Sequence, residues 1–293
     1  MRTEQETFDL ILNVAREDSR IRAVYLNGSR VNPNASKDIF QDYDVVYLVT
    51  ETKSFIQDKN WINVFGELII LQLPDEMDKI AGKEWHFDRC YGYLMQYADG
   101  NRIDLHIETL ESVLEEYQTD KLTVTLLDKD NVLPKIPAPT DEDYWVKKPT
   151  QELFCRCCNE FWWVILYIAK GLWREEIPYA MDHLNIWVRP QLVQMLSWYV
   201  GILTDFSCSV GKCGKYLDRY LPEKTWQQYL QTYPNAEIAS IWESTFIMSG
   251  LFEEIALFIS KEFGFNYNLE EAEKSFSYLE HICQLPKDAK EIL

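Results

Sequence analysis

The chain has 293 residues, 47% of them hydrophobic, and a formal net charge of −18 from 29 Lys and Arg residues against 47 Asp and Glu residues. This length is enough for two domains with a core each, and the hydrophobic content excludes a disordered chain. A surface this acidic repels phosphate backbones and attracts cations, which counts against nucleic-acid partners and favours a cationic small molecule.

Neither a targeting segment nor a membrane span is predicted. The first seven residues are polar and are not followed by the apolar core of a signal peptide. The longest apolar stretch, Phe161 to Ala169, is much shorter than the roughly 20 residues that span a bilayer. We therefore expect a cytoplasmic protein with no membrane partner.

The first part of the chain mixes helical and strand patterns. Apolar residues at helical spacing predict a helix over residues 3–18, and the apolar run Ile21 to Leu26 predicts a strand that ends in the turn Asn27-Gly28-Ser29-Arg30. Further strands are predicted over 42–49, 67–73, 90–97, 101–107 and 123–127, and helices over 54–63 and 110–117. The charged residues 75–84 are expected to form a connection, and Ala98-Asp99-Gly100 has the chemistry of a hairpin turn.

The second part of the chain carries only helical patterns. Pro134, Pro137 and Pro139 mark the clearest linker, so we place the domain boundary between residues 135 and 136. Helices are predicted over 152–173, 189–204, 212–220, 224–230, 237–263 and 269–283. The expected fold class is therefore α+β, with a mixed sheet flanked by helices in domain 1–135 and an all-helical domain 136–293.

Two carboxylates, Asp42 and Asp44, open the second strand two residues apart. Side chains two apart point to the same face of a strand, so both carboxylates converge. Such a pair is costly unless a cation neutralises it, and oxygen ligands favour a hard ion such as Mg²⁺. The Gly28-Ser29 turn can offer backbone N–H groups and a hydroxyl to phosphate oxygens. Together these features predict chemistry on a metal-bound nucleoside triphosphate.

These residues resemble the nucleotidyltransferase superfamily that includes DNA polymerase beta, whose pattern is Gly-Ser, a spacer, and Asp-x-Asp on a strand. The likeness narrows to the aminoglycoside 6-adenylyltransferases, which inactivate streptomycin by adding AMP. It is carried by four blocks in order: residues 27–34, residues 38–44, Asp99-Gly100-Asn101-Arg102-Ile103-Asp104-Leu105, and Ile168-Ala169-Lys170-Gly171-Leu172-Trp173-Arg174. It runs from the first helix into the C-terminal half and implies Mg²⁺-dependent transfer of AMP from ATP to a hydroxyl at position 6 of streptomycin, with release of pyrophosphate.

The resemblance also implies roles for individual residues. Asp42 and Asp44 would bind the metal, and Asp104 would be the third carboxylate, either a shared metal ligand or the general base, and of these interpretations we favour a dual role. Glu67, in another predicted strand, is the weaker candidate for the base. We expect Arg102 to be ambiguous in role and to point away from Asp104 in a regular strand.

Phosphate binding is expected from Gly28, Ser29 and Arg30, although Arg30 is equally suited to pairing with a nearby acid. Lys170 matches a basic residue that reaches the triphosphate from the helical domain in related enzymes. A cation near the end of a helix is also favourable without any ligand, so that alternative stays open for Lys170.

Acceptor binding is expected from acidic residues of the helical domain, above all Asp182 and Glu160, which can pair with guanidinium or ammonium groups. Trp162, Trp163 and Trp173 are expected to be packing residues rather than a sugar platform, and the three thiols at Cys155, Cys157 and Cys158 to be buried rather than bound to metal.

Two other functions remain open at this level. The first is a nucleotidyltransferase of the same fold that acts on a lincosamide or a protein hydroxyl. The second is a nucleotide-sensing module without turnover, against which the complete set of three carboxylates argues.

Overall fold

The computed structural model describes residues 1–117 and 119–292. The chain divides into two compact units, Met1–Asp143 and Tyr144–Leu293. Within the described ranges, no helix is both long enough and apolar enough to cross a membrane.

The first unit is a sheet with flanking helices. Its strands are β1 (Ile21–Asn27), β2 (Tyr43–Val49), β3 (Leu68–Gln72), β4 (Cys90–Tyr97), β5 (Arg102–Thr109) and β6 (Thr123–Asp128). Its α-helices are α1 (Glu4–Glu17), α2 (Lys53–Gln57), α3 (Pro74–Ile80) and α4 (Leu110–Glu116), with 3₁₀ turns at Gly28–Arg30 and Trp61–Phe65.

The sheet has the strand order β3-β4-β5-β2-β1-β6. It is mixed, because β2 and β5 pair in parallel while the other neighbours pair antiparallel. Parallel neighbours cannot be joined by a tight turn, and here a long stretch of chain with α2, β3, α3 and β4 connects them. The predicted mixed sheet flanked by helices is confirmed.

Strand β2 is buried on both faces, as expected for a central strand. On one face Tyr47 is fully buried and its hydroxyl donates to the backbone oxygen of Ile11 in α1 at 2.6 Å. On the other face Val46 and Leu48 pack in a cluster with Val113 of α4. Of the seven residues of β2, only Asp44, near its start, is not fully buried.

The second unit is helical, as predicted. Its helices are α5 (Gln151–Trp173), α6 (Ile177–Asp182), a π-helical segment (His183–Val188), α7 (Arg189–Leu203), α8 (Leu217–Tyr220), α9 (Glu223–Gln231), α10 (Ile238–Phe263) and α11 (Leu269–Gln284). The long helices α5 and α10 meet where Phe161 stacks on Phe252, with 3.7 Å between ring centroids. Trp162 is also buried there and donates to the hydroxyl of Tyr267 at 3.0 Å.

Two short helices were not predicted. Helix α3 occupies part of the expected connection 75–84, and α6 with the π-helical segment occupies residues 177–188. Both α3 and α6 have Pro in their first turn, where its missing N–H costs nothing. Their brevity leaves too little periodicity for a sequence pattern to detect.

Helix phase corrects two expectations about α5. Cys157 and Cys158 are buried as expected, and burial raises the pKa of the Cys157 thiol to about 12. Cys155 is exposed instead, because it lies one helical turn from Gln151 on the outer side and accepts from that amide at 2.8 Å. Trp163 is likewise 62% exposed and is not a core residue.

Candidate active site

The parallel pairing of β2 with β5 brings two of the predicted carboxylates together. Asp44 and Asp104 are directly paired positions on these adjacent strands. Paired residues of neighbouring strands point to the same face and lie about 5 Å apart. Asp42 immediately precedes β2 and is half-buried. The sheet thus gathers Asp42, Asp44 and Asp104 at one end of β2.

The turn after β1 closes directly onto one of these acids. Gly28 has φ +76°, and a Cβ atom placed on it would lie 2.2 Å from Oδ2 of Asp44. Only glycine permits both this backbone conformation and this approach. The antiparallel pairing of Asn27 with Asp44 sets the position of the turn, and the hydroxyl of Thr123 in β6 donates to Oδ1 of Asn27 at 2.9 Å.

Arg102 lies among the carboxylates, contrary to our expectation that it points away from Asp104. Its Nε and Nη2 atoms donate to the two oxygens of Asp104, each at 2.8 Å, and its Nε lies 3.7 Å from Oδ2 of Asp42. The expectation was wrong because Arg102 and Asp104 are two residues apart on β5 and therefore share a face. The spacing itself was the signal that sequence reasoning missed.

The acids remain incompletely neutralised despite this cation. The pKa of Asp44 is raised to about 6, mainly by burial and to a smaller extent by repulsion from Asp104 and Asp42. Burial also raises the pKa of Asp42, where the charge of Arg102 acts in the opposite direction. An arrangement that raises a carboxyl pKa by burial and like charge is typical of a functional site.

Arg30 contacts protein groups in the structure. Its Nε donates to the backbone oxygen of Asp42 at 3.2 Å, its Nη2 to that of Gln41 at 2.5 Å, and its Nη1 to Glu4 at 3.0 Å. The guanidinium carbon lies 3.7 Å from the ring centroid of Tyr43. These contacts join the turn after β1 to the start of β2 and so hold Asp42 in place.

The donor set suits a hard cation, although no ligand set is assembled as the side chains stand. Within residues 1–117 and 119–292, no group of three or more His, Cys, Asp or Glu side chains is placed to hold a metal ion. Asp104 is held by Arg102, and Asp42 lies beside the same guanidinium. Carboxylate oxygens are the ligands that a hard divalent ion prefers, so the chemistry of this donor set fits such an ion.

The remaining predicted residues lie elsewhere. Glu67 is exposed and precedes β3, which is separated from β5 by the whole of β4. In the second unit, Lys170 lies near the end of α5 with its Nζ 4.3 Å from the ring centroid of Tyr167. Glu160 is half-buried on α5, and Asp182 is exposed at the end of α6.

The sequence matches the streptomycin adenylyltransferase family over residues 1–282. It is 42% identical over 279 residues to an aminoglycoside 6-adenylyltransferase of Campylobacter jejuni, with 95% of each chain covered. It is 39% identical over 269 residues to the protein of that name from Bacillus subtilis (strain 168), covering 91% of this chain and 93% of the relative.

A third relative and one solved structure carry similar names. The aminoglycoside 6-adenylyltransferase of Staphylococcus aureus is 36% identical over 268 residues, with 91% of this chain and 94% of the relative covered. The crystal structure of an aminoglycoside 6-adenyltransferase from Bacillus subtilis is 34% identical, with coverage of 97% of this chain and 100% of that one and a TM-score of 0.48. By its match over nearly the whole length, this chain belongs to the streptomycin adenylyltransferase family.

Proposed function

We propose that this protein transfers AMP from ATP to a hydroxyl group of an aminoglycoside, at position 6 of streptomycin, in a Mg²⁺-dependent reaction that releases pyrophosphate. The single observation that carries the proposal is the turn at Gly28, which packs against Asp44 while Asp44 is paired with Asp104 on the adjacent strand. Family membership supplies the reaction class, since three relatives are named aminoglycoside 6-adenylyltransferases.

In this proposal Asp42, Asp44 and Asp104 hold Mg²⁺. When bound, the ion neutralises charge on the phosphates and the carboxylates. The pKa of Asp44, raised by burial and then by repulsion from Asp104 and Asp42, supports this assignment, because a cation placed among the acids offsets both effects. Arg102 takes the place of that cation among the acids in the protein alone, and in this proposal its side chain, which is 42% exposed, turns toward solvent when the ion binds.

The other residues bind and position the reactants. Gly28 and Ser29 present backbone N–H groups and a hydroxyl to phosphate oxygens, and Arg30 holds the turn against β2 through its contacts with Gln41 and Asp42. Asp104, released by Arg102, accepts the proton of the acceptor hydroxyl as that oxygen attacks the α-phosphorus and pyrophosphate leaves. Rate acceleration then comes chiefly from alignment and charge stabilisation.

The acceptor is proposed to be cationic because the chain carries a net charge of −18. Asp182 and Glu160 of the second unit are the acids assigned to its guanidinium groups, and Lys170 is assigned to the triphosphate. Raising the salt concentration should therefore raise the Michaelis constant for the acceptor, since screening weakens this attraction.

The direct test measures pyrophosphate release from ATP and Mg²⁺ with streptomycin, spectinomycin, kanamycin and lincomycin in parallel, followed by mass spectrometry of each acceptor. We expect release with streptomycin and the added mass of one AMP. Modification of lincomycin instead would assign a lincosamide acceptor. If no acceptor gives pyrophosphate release while ATP and metal still bind, the nucleotide-sensing function is favoured.

Asp42→Asn tests the role of the acids. We expect transfer to be abolished while the circular dichroism spectrum is retained, because Asp42 lies at the edge of the core and its backbone contact with Arg30 does not need the carboxylate. Asp88→Asn, at an exposed carboxylate, is the matched control and should leave transfer unchanged. An active Asp42→Asn enzyme that still responds to Mg²⁺ would refute the metal assignment.

A further inference from the structure

An exposed aromatic face lies on the second unit, where α5 packs against α6 and the π-helical segment. The exposed fractions are 62% for Trp163, 52% for Trp187 and 37% for Tyr179. A contiguous patch of exposed large aromatic side chains commonly marks a binding surface. We name the surface formed by Glu160, Trp163, Tyr167, Tyr179, His183 and Trp187 the aromatic face.

One row of this face follows α5. Glu160, Trp163, Tyr167 and Lys170 are separated by three, four and three residues, so they lie along one side of the helix. The other row follows the chain from α6 into the π-helical segment, with Tyr179, His183 and Trp187 four residues apart. The first row carries the rings of Trp163 and Tyr167, and the second row carries a ring at each of its three positions.

The two rows are in register because α5 and the returning chain run antiparallel. Near the end of α5, a Cβ on Gly171 would lie 2.9 Å from the ring of Tyr179. One turn earlier the ring centroids of Tyr167 and His183 are 5.4 Å apart.

Near the start of α5, Sγ of Cys157 lies 3.4 Å from the backbone oxygen of Gln191. Trp163 lies between Cys157 and Tyr167 on α5, and Trp187 lies between His183 and Gln191 on the returning chain. Because the two segments run antiparallel, Trp163 and Trp187 lie opposite each other, between these two contacts.

The returning chain is held firmly. His183 Nδ1 is 2.8 Å from the backbone oxygen of Tyr179, and their rings are 4.2 Å apart. Below the face, the buried Arg189 donates to Oδ1 of Asn185 at 3.0 Å and to the backbone oxygen of Thr232 at 2.7 Å. A π-helical segment is rare and is often found at functional sites. These contacts position the chain segment that carries the second row of rings.

We propose that the aromatic face binds the sugar rings and cationic groups of the aminoglycoside acceptor, with Trp163 and Trp187 as the principal contacts. This inference rests on the proposed function. The charge complementarity comes from Glu160 in one row and Asp182 beside the other, in a chain of net charge −18. Lys170, which follows the face at the end of the first row, places its ammonium 4.3 Å from the ring centroid of Tyr167, so a ring of this face already accepts a cation.

The test measures binding of streptomycin, kanamycin and spectinomycin to the full chain without ATP, by isothermal titration calorimetry, in the wild type, Trp163→Ala and Trp187→Ala. We expect each substitution to weaken acceptor affinity roughly tenfold, which lies between the sizes of an exposed and a desolvated cation–π contact. Affinity for ATP and the far-ultraviolet spectrum should be unchanged. Trp163→Phe should recover part of the loss, and Trp85→Ala, at a 38% exposed tryptophan of the first unit, should have no effect.

The outcomes separate this inference from the proposed function. If both Ala variants transfer AMP normally with an unchanged Michaelis constant for the acceptor, the aromatic face does not bind the acceptor, and the proposed function is unaffected. If the protein binds an acceptor in a way that depends on Trp163 but transfers no AMP, the proposed function is wrong and the acceptor-binding role of the aromatic face is supported. Binding of no acceptor by the wild type, or an oligomer that Trp163→Ala dissociates, would overturn the assignment of the face to the acceptor.

Discussion

Replacing Asp44 by Asn should stabilise the metal-free protein at neutral pH. Asn has the same shape, so it keeps the close packing against Gly28, but it carries no charge among the other acids. The pKa of Asp44 is raised from the ordinary value of 3.8 to about 6 by burial and then by Asp104 and Asp42. Because one pKa unit corresponds to about 1.4 kcal/mol, the charged form costs about 3 kcal/mol of folding free energy.

The sign of the effect follows from proton binding. Since the folded protein holds the proton more tightly than the unfolded chain, stability falls as the pH rises from about 4 to about 6. The penalty is absent below this window and complete above it. Asp44→Asn should therefore gain up to about 3 kcal/mol at pH 7 and nothing near pH 4, while losing AMP transfer.

The assay is chemical and thermal unfolding in EDTA at pH 4.5, 6 and 7.5. Asp88→Asn controls for the general relief of net negative charge, since Asp88 is an exposed carboxylate. Addition of Mg²⁺ and ATP should stabilise the wild type and reduce the advantage of the variant. A variant no more stable than the wild type at pH 7.5, or a gain equal to that of Asp88→Asn, would refute the electrostatic account of this site.

Three further outcomes are expected. Gly28→Ala should cost more stability and activity than Gly82→Ala, because both positions have positive φ but only at Gly28 would the Cβ meet Asp44, at 2.2 Å; equal melting temperatures would contradict this. Arg102→Met should destabilise the protein in EDTA by about 1 kcal/mol, allowing for its exposure, and less in Mg²⁺, since the metal replaces its charge; a loss that Mg²⁺ leaves unchanged would argue against this role. Phe252→Ala should cost about 3–5 kcal/mol in unfolding of the second unit, because the ring is fully buried; a loss below about 1 kcal/mol would show that the core repacks.

Much of the fold was predictable because its signals are local. Alternation along the strands, helical periodicity and the hairpin turn at Asp99-Gly100 are set by neighbouring residues, so the mixed sheet and the helical second unit are confirmed. The family was predictable for the same reason, since its motifs are short blocks in order, and the comparisons confirm it. The metal, the nucleotide contacts and the roles of individual residues stay predictions.

The sequence by itself determined that a turn lies at Gly28 and that Asp42 and Asp44 are spaced to share one face of an extended segment. Only the tertiary structure decided that β5 pairs in parallel with β2, which puts Asp104 beside Asp44 although 60 positions separate their numbers in the chain. Strand pairing over that distance depends on the packing of the whole sheet, and no local pattern specifies it. In the same way, the side of α5 that packs against the neighbouring helices decides that Trp162 is buried and Trp163 exposed. Two adjacent tryptophans look alike in the sequence, so the sequence did not distinguish them.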